Sequence, residues 1–323
     1  MNIRITVGAA RRTFGNSLRV GAVLLIAING QAQNLFVSNW GSNGIYEYTP
    51  GGVQSTFALG LANPLELAFN SAGDLFEADS LSGNIYEFTQ SGVQSAFASG
   101  LQQPYGVAFN GAGDLVVGDE SGNIYEYTPD GVRSIFASGL YYPQGLAFNS
   151  AGDLFVGGPL GYIYEFTPSG VQSTFASAPA VVFGLTFNSA GNLFAALSGG
   201  SIYEYTPNGV QSTFASGLAD SRDVAFNSAG DAFVANGSGD NIIEITPDGI
   251  QSVFASGVYN PFALTFQPVP EPSALEFLAI VSLILILFAR PKRITGLTTK
   301  GSERTEARGS VALGESKRVS PEY

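Results

Sequence analysis

The feature that most constrains this chain is a repeat. The pentad Ile45-Tyr46-Glu47-Tyr48-Thr49 returns in near-identical form with its isoleucine at Ile85, Ile124, Ile163, Ile202 and Ile242, at spacings of 39 or 40 residues. A second marker, the phenylalanine of Ala68-Phe69-Asn70, recurs with the same spacings at Phe109, Phe148, Phe187, Phe226 and Phe266. Six copies therefore fill residues 33–268. A unit this short cannot bury an apolar face alone, so the copies must pack on one another.

Each copy reads as four short strands. The first is typified by Gly106-Val107-Ala108-Phe109, the second by Asp153-Leu154-Phe155-Val156, the third by the pentad, and the fourth by Val171-Gln172-Ser173-Thr174-Phe175-Ala176. Between the third and fourth stands Thr-Pro-x-Gly, as in Thr128-Pro129-Asp130-Gly131, where proline presets φ and glycine accepts a positive φ. Alternation and regular turn punctuation favour strands throughout, and four-stranded units repeated six times predict an all-β, six-bladed propeller. The phase of the repeat adds a closure. The chain enters at a second strand, residues 34–39, and its last unpaired strand, residues 261–266, is a first strand. That strand should complete the first blade, giving 24 strands in a ring closed by both ends of the repeat region.

The wording of the repeat, P-x-G-[VL]-A-F-N-x-x-G-[DN]-L-[FV]-V, resembles that of NHL-type and gluconolactonase-type six-bladed propellers across residues 33–268. The resemblance implies fold and leaves function open, because propellers host unrelated activities. The sixfold phenylalanine is expected to pack between blades.

Composition removes several chemistries. With no His and no Cys, Ser-His-Asp and Cys-His catalysis, His- or Cys-ligated zinc, disulfides and thiol redox are excluded. Any metal must be held by oxygen. Residues 33–268 hold 20 Asp and Glu against Arg133 and Arg222 alone, a net of −18. So acidic a body is repelled by phosphate, and nucleic acid is not expected as a partner.

Both ends carry targeting patterns. Arg4, Arg11, Arg12 and Arg19 precede the apolar run of residues 20–28, and Gly30-Gln31-Ala32 supplies small residues. This predicts an export signal over residues 1–32, cleaved after Ala32, on the general secretory route rather than the twin-arginine one. Nine apolar residues are too few to span about 30 Å of hydrocarbon. At the other end, Pro270-Glu271-Pro272 precedes the apolar residues 275–289 and the basic cluster Arg290, Lys292 and Arg293. Residues 269–293 so arranged resemble the bacterial PEP-CTERM sorting signal. That resemblance implies a transmembrane helix held in the inner membrane, processing by an exosortase near Pro270-Glu271-Pro272, and a fate at the cell surface or outside the cell. The family's signal normally ends the chain, whereas residues 294–323 follow here, polar, mixed in charge and expected to be disordered.

Residues present in every copy are read as scaffold. These include the third-strand carboxylates Glu47, Glu87, Glu126, Glu165, Glu204 and Glu244, and the turn aspartates Asp74, Asp114, Asp153 and Asp231. Departures from the repeat are more informative. The first-strand position held by Gly106, Gly145 and Gly184 becomes Glu66, Asp223 and Ala263, and the second strands end in Asn39, Asp79, Asp119, Gly158, Leu197 and Asn236. Antiparallel pairing brings these two sets to one mouth of the channel. Glu66 and Asp223 look like part of the gluconolactonase-type metal site. The asparagine that such a family presents would fall near Phe183 and Gly184, which cannot ligate through their side chains. A calcium-type ion prefers six to eight oxygens, so the candidate ligand set is Glu66, Asp223, Asn39, Asp79 and Asn236, against the plainer reading of a solvated acidic mouth. Tyr105, Tyr141 and Tyr142 fall in loops on the same face, as sugar-stacking platforms or as plugs between blades.

The expected function is that of an exported, surface-associated, non-catalytic binding or matrix module, with a polysaccharide or protein ligand at the channel mouth and an exosortase as processing partner. The competing expectation is a metal-dependent, gluconolactonase-like hydrolase of lactones.

Overall fold

The computed structural model describes residues 6–10, 21–25 and 33–269. Thr6–Ala10 (β1) and Gly21–Leu25 (β2) pair as a two-stranded antiparallel ribbon. The expected transmembrane segment and the basic cluster lie outside the described residues, as do Ala32, Pro270-Glu271-Pro272 and the polar tail. Among the described residues no helix is long and apolar enough to cross a membrane.

Residues 33–269 form a six-bladed β-propeller. Blade two runs Pro64–Phe69, Leu75–Asp79, Asn84–Phe88 and Gln94–Ala98, each strand hydrogen-bonded to the next, and blades three to six repeat that order. Blade one is assembled from both ends of the repeat region: Pro261–Phe266 is its innermost strand, followed by Leu35–Asn39, Gly44–Tyr48 and Gln54–Leu59. In that seam Leu264 lies opposite Val37 and Phe266 opposite Leu35. Gln267 donates its amide to the Asn34 carbonyl at 3.0 Å. The closure expected from the phase of the repeat is thus the observed one.

Burial follows the strand patterns. The second strands are covered on both faces by neighbouring blades, so Leu35–Asn39, Leu75–Asp79 and Leu115–Asp119 are buried throughout. The third strands bury their isoleucines and leave their glutamates part-exposed, while the outer strands face solvent. The apolar clusters lie between blades: Phe36 and Ile45 of blade one pack with Leu65, Leu67 and Leu75 of blade two. The recurring phenylalanine lies in these seams. Phe69 meets Phe36 edge-on at 5.1 Å and Phe226 meets Phe194 at 4.7 Å, the geometry aromatic quadrupoles favour.

Local hydrogen bonds explain the invariant polar residues. Gly131, at φ 78°, donates to the Thr128 carbonyl, and the Thr128 hydroxyl accepts from the Val132 amide at 3.2 Å. Asn70 Oδ1 accepts from the Asp74 amide at 2.8 Å and its Nδ2 donates to Asp74 Oδ2, which locks the turn between first and second strands. The third-strand glutamates find amide donors where lysine or arginine is lacking: Asn34 for Glu47, Asn110 for Glu126 and Asn192 for Glu204.

Blade four departs from the others. Its two inner strands shrink to Leu146–Phe148 and Leu154–Val156, and the chain beyond them continues through Gly145, Gly157 and Gly158. Gln144 and Gly157 are still joined there, amide to carbonyl at 2.9 Å. Pro143 and Gln144 are thereby set at the channel mouth.

Candidate functional site: the channel mouth

Two successive layers of the inner strands build the site. The outer layer is the first-strand position just before the one singled out from sequence, and its six residues are of five kinds: Leu65, Tyr105, Gln144, Phe183, Arg222 and Phe262. All six line one cavity of about 300 Å³ at the mouth, with Trp40, Asn63, Glu120 and Tyr142 among its other walls.

Aromatic rings dominate the wall. Phe262, only 2% exposed, meets Tyr105 at 5.3 Å, Trp40 at 6.2 Å and Phe183 at 6.5 Å between centroids, all edge-on. Rings carried by blades one, three and five thus converge there. The Arg222 guanidinium lies 4.6 Å from the Phe183 centroid and 5.6 Å from those of Trp40 and Phe262, a cation–π arrangement. Its Nε donates to Asp220 Oδ2 at 2.6 Å. Tyr142 donates its hydroxyl to Glu120 Oε1, and the Gln103 amide donates to Glu120 Oε2. Burial raises the Tyr105 phenol far above its ordinary pKa, against the opposing pull of Arg222, so it stays a hydroxyl.

The next layer holds Glu66 and Asp223, and neither lines the mouth cavity. Asp223 is 4% exposed. Its Oδ2 accepts from the Leu264 amide of blade one at 2.8 Å, and a Cβ on Gly184 would collide with its Oδ1, so glycine at that position makes room for the carboxyl. Burial pushes the Asp223 carboxyl up to about 7, against the stabilising amides of Leu264 and Val224. Glu66 is raised well above the carboxylate range by burial and then by the negative charge of Asp223, with the Leu67 amide opposing. The two carboxyls are therefore close enough to interact, Asp223 buried and Glu66 part-exposed.

The other three candidate ligands serve the loops. Asn39 Oδ1 accepts from the Ser42 amide at 2.9 Å. Asp79 takes the Ala62 amide on one oxygen and the Ser82 amide on the other. Asn236 Oδ1 accepts from the Ala219 and Asp220 amides, and its Nδ2 donates to Asn241. Among the described residues no group of three or more acidic side chains is placed to hold a metal. The oxygens of Asn39, Asp79 and Asn236 are thus engaged by backbone amides and hold the loops at the mouth.

Of the tyrosines, Tyr105 and Tyr142 line the mouth, while Tyr141 is exposed and packs edge-on to Tyr142 at 5.1 Å. Sequence reasoning passed over Trp40, Gln144 and Phe262, named Phe183 only as a residue unable to ligate a metal, and treated Arg222 only as a charge. The signal was present, since their layer breaks the repeat more completely than the one chosen. Glu77 was also missed: it replaces the Val, or in blade five the Ala, of the other second strands. It is 0% exposed and both of its carboxyl oxygens lack a hydrogen-bond partner among the described residues.

No family model matches the sequence, and no curated protein is significantly similar to it. Solved structures do match. Virginiamycin B lyase from Staphylococcus aureus aligns at 18% identity and TM-score 0.58, over 72% of this chain and 85% of that one. A chain of a nidogen/laminin complex aligns at 15% and 0.67, over 74% and 99%. A gluconolactonase from Xanthomonas campestris aligns at 17% and 0.59, over 62% and 78%. The protein is thus a six-bladed propeller with structural neighbours of the gluconolactonase, virginiamycin B lyase and NHL type, and at these identities the likeness defines fold alone.

Proposed function

We propose that this protein is an exported, surface-associated binding module that takes its ligand at the channel mouth, processed by an exosortase at Pro270-Glu271-Pro272. The observation that carries the binding reading is the cavity itself: six equivalent positions hold five kinds of side chain, only phenylalanine occurring twice, and most are aromatic or apolar, where a purely structural ring would repeat. Such concave, largely apolar walls with a few polar groups are the usual form of a ligand site. Propellers of this shape serve both binding and catalysis, the nidogen/laminin chain being one that engages a protein. Lyase chemistry is disfavoured, because a histidine-to-alanine variant of the virginiamycin B lyase is catalytically inactive and this chain has no histidine.

Fractionation of a host that has an exosortase tests export and capture together. Wild type is expected in the surface and released fractions. Replacing Pro270, Glu271 and Pro272 with Ala should hold the protein in the membrane fraction, since the processing motif is lost while residues 275–289 are untouched. Phe183→Ala, which opens the mouth without altering the sorting segment, should shift released protein from the surface into the medium. Equal release of the triple variant would sink the processing role, and equal surface retention of Phe183→Ala would sink capture at the mouth.

The interacting carboxyls Glu66, part-exposed, and Asp223, buried, favour a second reading, the metal-dependent lactone hydrolase. It requires calcium to stabilise the protein, by about 2.7 kcal/mol at a hundredfold excess over Kd, and the resulting rise in Tm to be abolished by Glu66→Gln with Asp223→Asn. The binding reading expects calcium to leave both proteins unchanged and lactone hydrolysis to be absent. Removal of two mutually repelling acids should then raise Tm without metal.

A further inference from the structure

Two polar groups on the mouth wall are unfinished. Gln144 is 7% exposed and its Oε1 has no hydrogen-bond partner among the described residues; the buried Asn63 Oδ1 likewise has none. Both residues line the cavity. A buried amide oxygen left unpaired costs about 1–3 kcal/mol, so each marks a place where a partner belongs. The Nη atoms of Arg222 also make no hydrogen bond with a described residue, its Nε alone being engaged. The polar demand of the cavity is thus for a ligand that donates to two amides and accepts from one guanidinium, beside a wall of rings.

We propose that the cavity is a subsite for a single neutral pyranose residue, its apolar ring face against Tyr105, Phe183 and Trp40 and its hydroxyls meeting Gln144, Asn63 and Arg222. This rests on the binding-module reading and names the ligand class for it. A hydroxyl both donates and accepts, so it satisfies an amide end group in either orientation and a guanidinium N–H as well. The volume, about 300 Å³, stands at the small end of ligand cavities, roughly 300–1,000 Å³, which suits one ring. Charge decides between neutral and ionic ligands. An acidic sugar would bring its carboxylate beside Glu120 and Asp119 on a body of net charge −18, where the field opposes it. A cationic ligand would be repelled by the positive charge of Arg222, which stands against one face of Trp40, Phe183 and Phe262. The site lies outside the layer of Glu66 and Asp223 and needs neither of them nor a metal.

Trp40 is the sole tryptophan and stands on the cavity wall, so its fluorescence reports this site alone. The full-length chain, held in a detergent without a sugar headgroup, is titrated with the methyl glycosides of glucose, galactose and mannose and with the matching methyl hexuronides. A saturable change is expected with at least one neutral glycoside, and binding of its uronide at least tenfold weaker. Gln144→Met, which keeps the volume and removes the acceptor, should weaken binding about tenfold, while the Tm of the ligand-free protein stays the same or rises because an unpaired buried oxygen is removed. No saturable change with any of the three glycosides, a uronide that binds as well, or a folded Gln144→Met that binds like wild type each overturns the proposal. The wild-type comparison decides even where the variant does not fold. A response to a lysine-rich peptide with none to the glycosides would overturn the sugar while leaving capture at the mouth standing, since that is judged by the surface-retention assay.

Discussion

Deleting residues 260–268 should abolish cooperative unfolding of the ring. The segment contains the innermost strand of blade one, and its loss removes the buried side chains of Phe262 and Leu264. Truncating either to alanine would cost about 3–5 and 2–5 kcal/mol respectively, and the deletion also discards the ladder to Leu35–Asn39. Those terms together reach the whole stability of an ordinary domain, about 5–15 kcal/mol. It would also leave Leu35–Asn39 as a bare edge beside a seam without its packing. Circular dichroism melts and size exclusion check this: the expected result is a broad, non-cooperative transition with association, and a melt like that of wild type would refute the closure.

Glu77 sets the second large effect. It stands two residues from Leu75 on a strand whose side chains alternate, and so faces blade one with Leu75, among Phe36, Ile45 and Leu67. Tyr86 and Leu67 are its cross-strand neighbours and Asp79 shares its face. Burial, and then the charge of Asp79, raise its carboxyl well above the ordinary range. The sign follows from linkage. Below the unfolded pKa of about 4.5 the group is neutral in both states and adds no pH dependence. As pH rises past that point the unfolded chain releases the proton and the folded one holds it, so stability falls until the raised pKa is passed. Glu66 and Asp223 act in the same direction. The protein should therefore be more stable at pH 5 than at pH 8. Glu77→Val, which installs the residue found in blades one, three, four and six, should raise stability at pH 8 by at least about 1–3 kcal/mol, the cost of an unpartnered buried polar group. That corresponds to several degrees of Tm, and the gain should shrink towards pH 4. Melts of both proteins across this range suffice; a lower Tm for the variant at pH 8, or a gain independent of pH, would show that Glu77 is satisfied in the native state.

The ring, the number of blades and even the seam could be read from the sequence because each is a property of periodicity. Every strand repeats its apolar pattern six times, and the phase at which Leu35 and Phe266 enter the pattern dictates which strands must meet. The site was only half legible. Glu66 and Asp223 were found as breaks in the repeat, and the structure does set them side by side. Asn39, Asp79 and Asn236 were grouped with them because they end second strands on the same face, but the sequence does not say which backbone amides an Asx side chain will take. Phe262 and Arg222 escaped notice for a different reason. An aromatic or a lone arginine in a strand has an ordinary packing role, and only the closed ring shows that six such positions meet on one axis.

The seam in blade one has a bearing on how the protein comes to be folded. Gln33 donates its side-chain amide to the Gln267 carbonyl at 2.9 Å, so the beginning and end of the propeller are tied together across a separation of 234 residues. Contacts this distant in sequence are slow to form because the loop-closure entropy must be met first, and chains emerge from their N-terminal end. Blades two to six can form in order as the polypeptide arrives. Blade one must wait with an open edge, three strands wide, until the last strand arrives. Maturation is thus timed by the arrival of residues 261–266, and until then no mouth exists to hold a ligand.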